Sequence, residues 1–440
     1  MAPPNLRDAP GTVVVVGLGV TGRAVTTHLV GAGWRVVVVE DSATAATADE
    51  VAALGATLGT LAAVAGADLV VPSPGVAPAH PVYAAARAAG VAVVSEVEVA
   101  WSAAPGKRYV AVTGTNGKTT VTTLVAAMLA AGGTRVVAAG NIGLPLVTAV
   151  AGEADVVVAE VSSFQLRYTG RFRPDVAVWL NFAADHLDWH RSLDDYAAAK
   201  ARVWANQGPT DVVVVNAGDA VVMAAAAAAP GRVVTFGPQG ADWSVTAGRL
   251  RGPAGDVLAV ADLPRAMPHD LENVLAAMAA ATAAGATPEA CAAGATRTEG
   301  LPHRVQLVGE SGGVRYYDDS KATTPASVQA ALRGFDSVVL IAGGRNKGLD
   351  LRPLAGEGAR LRAVVAIGEA AHDVEAALAG VAPVTVATSM PEAVRLAAAA
   401  ARPGDAVLLS PACASFDWYR SYAERGDDFA RLVHALTEAS

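Results

Sequence analysis

Three stretches of the chain carry residues whose types and spacing could do chemistry. The densest is Thr113-Gly114-Thr115-Asn116-Gly117-Lys118-Thr119-Thr120, directly after the apolar run 109–112. Gly-Lys-Thr at a strand-to-helix turn is the pattern of a phosphate-binding loop. Backbone N–H groups surround the phosphates, the lysine reaches the β- and γ-phosphates, and the threonine hydroxyl ligates Mg²⁺. The common spacing has a glycine where Val112 stands, so this loop is a shortened variant. The sequence predicts use of ATP or another nucleoside triphosphate.

The second stretch is Gly17-Leu18-Gly19-Val20-Thr21-Gly22, after the valine run 13–16. It fits Gly-x-Gly-x-x-Gly in the strand–turn–helix setting where glycines let a pyrophosphate approach a helix N-terminus. Glu40 and Asp41 end the next apolar run, about 20 residues on, where an acidic residue meets a ribose in dinucleotide enzymes. Alone, the pattern fits a dinucleotide, a tight turn without ligand, or another pyrophosphate nucleotide such as a UDP-linked substrate. ATP plus a UDP-linked substrate is the coherent pair.

The third group lies at the ends of later apolar runs. Glu160 ends one, and a carboxylate there suits Mg²⁺. Asn181-Phe-Ala-Ala-Asp185-His186-Leu-Asp188-Trp-His190 follows another; on a helix, His186 and His190 would share a face as zinc ligands, although no third soft ligand lies nearby. Either histidine also fits a surface or supporting role. Lys200 lies in the helical stretch 194–206 and by composition is an ordinary exposed lysine. In the last third, His303-Arg304, Asp318-Asp319-Ser320-Lys321-Ala322-Thr323-Thr324, Gly343-Gly344-Arg345-Asn346-Lys347-Gly348 and Ser410-Pro-Ala-Cys413-Ala-Ser415-Phe416 gather cations and hydroxyls. Together they point to an anionic substrate.

These residues need strands to position them. Runs of β-branched residues at 13–16, 36–39, 69–71 and 91–94 predict one open α/β sheet ending near residue 98. A second series runs through 109–113, 135–138, 156–160, 176–180 and 212–216. The glycine-rich stretch 231–255 reads as antiparallel, and a helix follows at 270–284. A third series is 314–317, 337–342, 363–367 and 406–409, with Gly300 and Pro302 at its boundary. The 440 residues agree with three domains of about 150.

Composition sets the class. Hydrophobic residues are 52%, charged residues 17%, and the net charge is −8. That excludes a charge-rich disordered chain and argues against a nucleic-acid partner. Two cysteines, Cys291 and Cys413, make neither a disulfide framework nor a cysteine-built metal site. The N-terminal residues lack a signal-peptide pattern, and the apolar run 221–229 is far below the ~20 residues of a membrane helix. The expectation is a cytoplasmic protein with no membrane partner.

The phosphate loop, Asn141-Ile-Gly143, Glu160, Asp185-His186-Leu-Asp188, His269…Asn273, His303-Arg304 and Asp319-Ser-Lys321 together resemble the ATP-dependent Mur ligases of peptidoglycan synthesis. The resemblance runs in order over essentially the whole chain. The glycine turn, Ser73-Pro74-Gly75-Val76 and the run from Ser410 through Phe416 to Arg425-Gly resemble members that add D-glutamate to a UDP-linked muramoyl-L-alanine. Other acid–amino-acid ligases such as folylpolyglutamate synthase share the loop, but the N-terminal domain and the Ser410 run argue against them. The resemblance implies three α/β domains: 1–98, Rossmann-like, for the UDP substrate; 99–300, a P-loop ATPase type; and 301–440, Rossmann-like, for the amino acid. It implies a cytoplasmic monomer that uses ATP and two Mg²⁺ ions.

Residue roles follow from the same resemblance. It assigns Gly17, Gly19, Val20, Thr21, Ser73 and Gly75 to the UDP substrate. Gly114, Thr115, Asn116, Gly117, Lys118, Thr119, Thr120, Asn273, Arg304, Asp319 and Lys321 go to the nucleotide. Thr119 and Glu160 would serve one Mg²⁺; His186 and a carbamylated Lys200 would serve the other. Asn141 and His186 lie near the acyl group. Thr323, Lys347, Ser415, Phe416 and Tyr422 would hold D-glutamate. The chain departs from the pattern at Ser42, where some relatives have arginine near the uracil, and at Asp270, where asparagine is usual. Arg345 replaces an acidic residue, which predicts a more basic loop, and Tyr422 stands where phenylalanine can occur.

Overall fold

Valine runs of four become strands covered on both faces. In the computed structural model, which describes residues 10–237, 239–298 and 300–438, they form the middles of three separate sheets. The first contains β1 (Thr12–Val16), β2 (Arg35–Val39), β3 (Thr57–Leu58), β4 (Leu69–Pro72) and β5 (Ala92–Val93). All pair in parallel, in the order β3-β2-β1-β4-β5. Strand order reverses beside β1, so the turn after β1 and the segment after β4 open on one crevice. The two-residue β3 is too short to leave a pattern in the sequence.

The second sheet contains β6 (Arg108–Thr113), β7 (Val136–Gly140), β8 (Val156–Glu160), β9 (Val176–Trp179), β10 (Val212–Asn216), β11 (Arg232–Gly237), β12 (Trp243–Thr246), β13 (Arg249–Gly252) and β14 (Gly255–Ala259). Its order is β14-β13-β12-β11-β10-β9-β6-β8-β7. The stretch expected to be antiparallel is only partly so. β11 and β12 extend the parallel sheet, and pairing turns antiparallel at β13 and β14. The alternation in β11 reports one open face: Val233 is exposed while Val234 and Phe236 are buried. A parallel strand toward a sheet edge has such a face too.

The third sheet contains β15 (Gln306–Ser311), β16 (Val314–Asp318), β17 (Val338–Gly343), β18 (Leu361–Ile367), β19 (Val384–Ala387) and β20 (Ala406–Ala412), in the order β15-β16-β20-β17-β18-β19. Only β15 runs antiparallel. β15 and β19 are edge strands with polar residues, which the apolar runs did not reveal. Helix 270–284 is found as Pro268–Ala283.

By its contacts the chain groups into two units. One is Met1–Phe182, Ser192–Asp262 and Asn273–Thr298; the other is Ala183–Arg191, Leu263–Glu272 and Glu299–Ser440. The first unit therefore holds two sheets, and the helix Glu96–Ala103 joins them through buried carboxylates. Glu98 accepts the N–H groups of Gly170, Arg171 and Phe172 at 2.8–3.0 Å. Glu96 accepts that of Val147 at 2.6 Å, and burial pushes its carboxyl up to about 7. No helix among the described residues is long and apolar enough to cross a membrane.

Candidate active site

The loop after β6 is shaped by one glycine and one asparagine. Gly117 has φ 82° and leads into the helix Lys118–Ala131. The positive φ favours glycine, and a Cβ there would also lie 2.5 Å from Asn273 Oδ1, which would have to move aside. That proximity brings Asn273 to the loop. The Lys118 ammonium donates to the carbonyls of Gly114 (2.9 Å) and Thr115 (2.8 Å). Asn181, just past β9, accepts the Asn116 N–H on Oδ1 at 2.8 Å and donates from Nδ2 to the Asn116 carbonyl at 3.2 Å. The role of Asn181 leaves no trace in the local sequence, because its partner is 65 residues away.

Glu160 ends β8 beside the end of β7. Its Oε1 accepts from Asn141 Nδ2 at 3.0 Å, while Oε2 is buried without a hydrogen-bond partner. A buried carboxylate oxygen with nothing to bind is costly unless something positive meets it. The donor set therefore fits a hard cation such as Mg²⁺. Lys200 corrects the composition-based expectation: it is 1% exposed. Its Nζ donates to the Gly114 carbonyl at 2.7 Å and lies 4.5 Å from the centre of the Tyr196 ring. Tyr196 in turn contacts Thr115 through its hydroxyl at 3.3 Å. The helix Leu193–Ala201 thus turns Lys200 inward to the phosphate loop.

The zinc arrangement is not found. His186 and His190 lie on a turn rather than a helix: the His190 N–H donates to the His186 carbonyl at 2.8 Å, and His186 has φ 54°. His186 Nε2 is 3.3 Å from Asp185 Oδ2, and the His190 ring packs against Trp189. Among the described residues no group of three or more His, Cys, Asp or Glu could hold a metal. Cys291 and Cys413 are buried free thiols, and burial pushes Cys413 up to about 12.

At the glycine turn, Gly17 has φ 85°, and a side chain on Gly22 would strike the Gly17 carbonyl at 1.9 Å. Nothing crowds Gly19, and Val20 is 69% exposed, so this side of the turn is open. Ser73 Oγ donates to the Gly17 carbonyl at 3.1 Å, joining the two strand ends. The acidic residues depart from the ribose-binding expectation. Glu40 Oε2 accepts the Leu18 N–H at 2.6 Å, and Asp41 pairs with His80 at 3.1 Å.

In the last sheet, Asp319 is buried, accepts from Ser410 Oγ at 2.7 Å, and is pushed up to about 7 by that burial. Lys321 Nζ lies 4.9 Å from the centre of the Tyr422 ring. The loop after β17 and the loop after β20 are bridged backbone to backbone through Arg345 and Ala414. The bridge brings the segments of Lys347 and Ser415 together. Arg345 does not make its loop more basic as expected, because Glu369 pairs with it at 2.8 Å. Thr323 and Lys347 are half-buried, Ser415 is buried, and Phe416 is 60% exposed. Asp270 is held by Arg265 at 3.3 Å, on the same segment as His269. Arg304 also lies in this unit, its carbonyl accepting from the Arg265 guanidinium. Arg425 has a structural role that its local sequence does not show. It is fully buried and donates to Ser320 Oγ and to the Ser320 and Cys413 carbonyls, holding two strand-end loops together.

Known proteins show the same three-part layout. Family models match in order: the Mur ligase MurD-like N-terminal domain over residues 11–95, the Mur ligase middle domain over 112–281, and the Mur ligase glutamate ligase domain over 303–413. The chain is 47% identical over 443 residues to a UDP-N-acetylmuramoylalanine–D-glutamate ligase of Frankia casuarinae, covering 96% of this chain and 94% of that one. It is 43% identical over 463 residues to the ligase of the same name from Anaeromyxobacter dehalogenans, covering 98% and 99%. The crystal structure of a UDP-N-acetylmuramate–alanine ligase from Thermotoga maritima shares the fold, with TM-score 0.61, 19% identity, and 97% and 99% coverage. The chain belongs to the Mur ligase family, with three α/β domains built on largely parallel sheets. Its full-length relatives just described are the D-glutamate ligases of that family.

Proposed function

We propose that this protein is a UDP-N-acetylmuramoyl-L-alanine–D-glutamate ligase that joins the two substrates at the expense of ATP, in cytoplasmic peptidoglycan precursor synthesis. The observation that carries the chemistry is the convergence at one sheet edge. Lys118 and Lys200 both end on the Gly114 carbonyl of the loop after β6, and the Glu160–Asn141 pair sits at the end of the neighbouring strand, where Glu160 is in register with Val112 just before that loop. The domains are 1–98 for the UDP substrate, 99–300 for ATP and 301–440 for the amino acid.

The alanyl carboxylate attacks the γ-phosphorus of ATP; an acyl phosphate forms and ADP leaves. The D-glutamate amine then attacks the acyl carbon, and phosphate departs from the tetrahedral intermediate. Lys118 neutralises charge on the transferring phosphoryl group, while the loop N–H groups at the helix start orient it. Gly114–Thr120, Asn273, Arg304, Asp319 and Lys321 bind the nucleotide. Two Mg²⁺ ions, held by Thr119 and Glu160 and by His186 and carbamylated Lys200, would supply further charge neutralisation. Asn141 and His186 orient the acyl group. Gly17, Gly19, Val20, Thr21, Ser73 and Gly75 hold the UDP part. The enzyme acts as a monomer.

Phosphate release from ATP tests the reading. It should require both UDP-N-acetylmuramoyl-L-alanine and D-glutamate, and release with either one omitted would refute it. Calorimetry should show the UDP substrate binding, whereas NAD and NADP should give no heat at millimolar concentration. Tight NAD binding competed by the UDP compound would overturn the assignment of the glycine turn.

D-Glutamate brings two carboxylates, which call for a cation and N–H or O–H donors. Lys347 is the candidate cation, with Thr323 and Ser415 as donors and Phe416 and Tyr422 beside them. Lys347→Ala should raise the KM for D-glutamate about tenfold or more and leave that for ATP within about twofold. An unchanged KM for D-glutamate would remove Lys347 from the site.

A further inference from the structure

The first half of the phosphate loop is already hydrogen-bonded to the chain itself. The Thr115 N–H donates to the backbone carbonyl of Asn181 at 3.1 Å. The Asn116 N–H donates to Asn181 Oδ1 at 2.8 Å, and the Asn116 carbonyl accepts from Asn181 Nδ2 at 3.2 Å. One asparagine thus pairs with two successive residues of the loop, as a neighbouring strand would. Asn181 is itself fixed. Trp179 Nε1 donates to its carbonyl at 3.1 Å, and the Leu180 N–H donates to the Thr113 carbonyl at 3.0 Å.

We infer that Asn181 is a positioning residue for ATP: it presets the shortened loop and turns the N–H groups of Thr115 and Asn116 away from phosphate. A full-length P-loop wraps the phosphates with N–H groups along its whole length. Here Val112 occupies the position of the first glycine, and the N–H groups of Thr115 and Asn116 serve Asn181. Anion binding then falls to the N-terminus of the helix that begins at Lys118, where backbone N–H groups have no intrahelical acceptor. Without the clamp, the glycines on either side of Thr115 and Asn116 would let the segment sample other conformations. ATP binding would then have to order it.

The inference rests on the loop being the ATP site, so the test includes a control for that reading. Binding of a non-hydrolysable ATP analogue with Mg²⁺ is measured by calorimetry, and KM is measured for all three substrates. Asn181→Ala should weaken analogue binding roughly 10- to 100-fold, the scale of two lost hydrogen bonds. The KM for the UDP substrate and for D-glutamate should stay within about threefold of wild type. Asn181→Asp is nearly isosteric and preserves the acceptor, but it sets a carboxylate against the Asn116 carbonyl. It should fold normally and bind the analogue at least as poorly. Unchanged analogue affinity in Asn181→Asp, or equal losses for all three substrates in both variants, would overturn the inference. If Lys118→Ala weakens analogue binding and the Asn181 variants do not, the loop stands and the positioning role falls. If Lys118→Ala also leaves binding and turnover intact, both fall.

Discussion

Lys118→Ala is expected to lower ATP-dependent ligation on the order of 10²-fold or more, the scale of one lost electrostatic donor at a site of developing charge. The side chain is half-buried, and its ammonium donates to the carbonyls of Gly114 and Thr115 in its own loop. Those two acceptors hold the cation over the loop. Alanine removes that charge without disturbing the helix it begins, since alanine is the best helix former. The fold should survive, as judged by circular dichroism and the thermal transition. ADP production by the purified, folded variant is the measurement. Near-normal production would show that phosphate charge is neutralised elsewhere and that the loop assignment is wrong.

What the sequence made legible follows from what leaves a local trace. The valine runs of β1, β2 and β4 and the glycines after β1 are local, and they made the first sheet and its glycine turn legible, as the apolar run of β6 did for the Gly-Lys-Thr loop. Glu160 was legible because a charged residue ending an apolar run is conspicuous. The roles of Asn181 and Arg425 were not legible, because partners of each are distant in sequence: Asn116 for the first and Ser320 for the second. Glu40 likewise has a partner that leaves no local trace. Its position suggested a ribose contact, yet its carboxylate accepts the Leu18 N–H across 22 residues. The edge strands β15 and β19 escaped because their exposed faces dilute the apolar signal. The helix carrying Lys200 gave no warning either. It is alanine-rich with little contrast between its faces, so composition could not tell which face Lys200 joins.

Lys200→Ala should abolish most ligase activity, and a short carboxylic acid added in solution should restore part of it. CO₂ adds only to a neutral amine, and at the unperturbed lysine pKa of about 10.4 roughly one amine in a thousand is neutral near pH 7.4. A carbamate therefore persists only where the surroundings favour it over the ammonium form. The site supplies a specific reason. Lys118 and Lys200 both donate to the same Gly114 carbonyl, at 2.9 and 2.7 Å, so two ammonium groups crowd one oxygen. Carbamylation of Lys200 would turn that repulsion into attraction and add hard oxygen ligands suited to Mg²⁺. The carbamate nitrogen keeps one N–H that can still donate to the Gly114 carbonyl, while the new carboxylate must turn away from that oxygen. The Tyr196 ring offers no hydrogen-bond donor from its face, so reorientation is also needed there. Full activity in Lys200→Ala would refute the role. Mass-labelled CO₂ trapping on the wild-type chain would test the chemistry directly. Labelling should appear at Lys200 with Mg²⁺ present and vanish in the variant. An unlabelled, fully active wild type would leave Lys200 as a buried cation that holds the loop through Gly114.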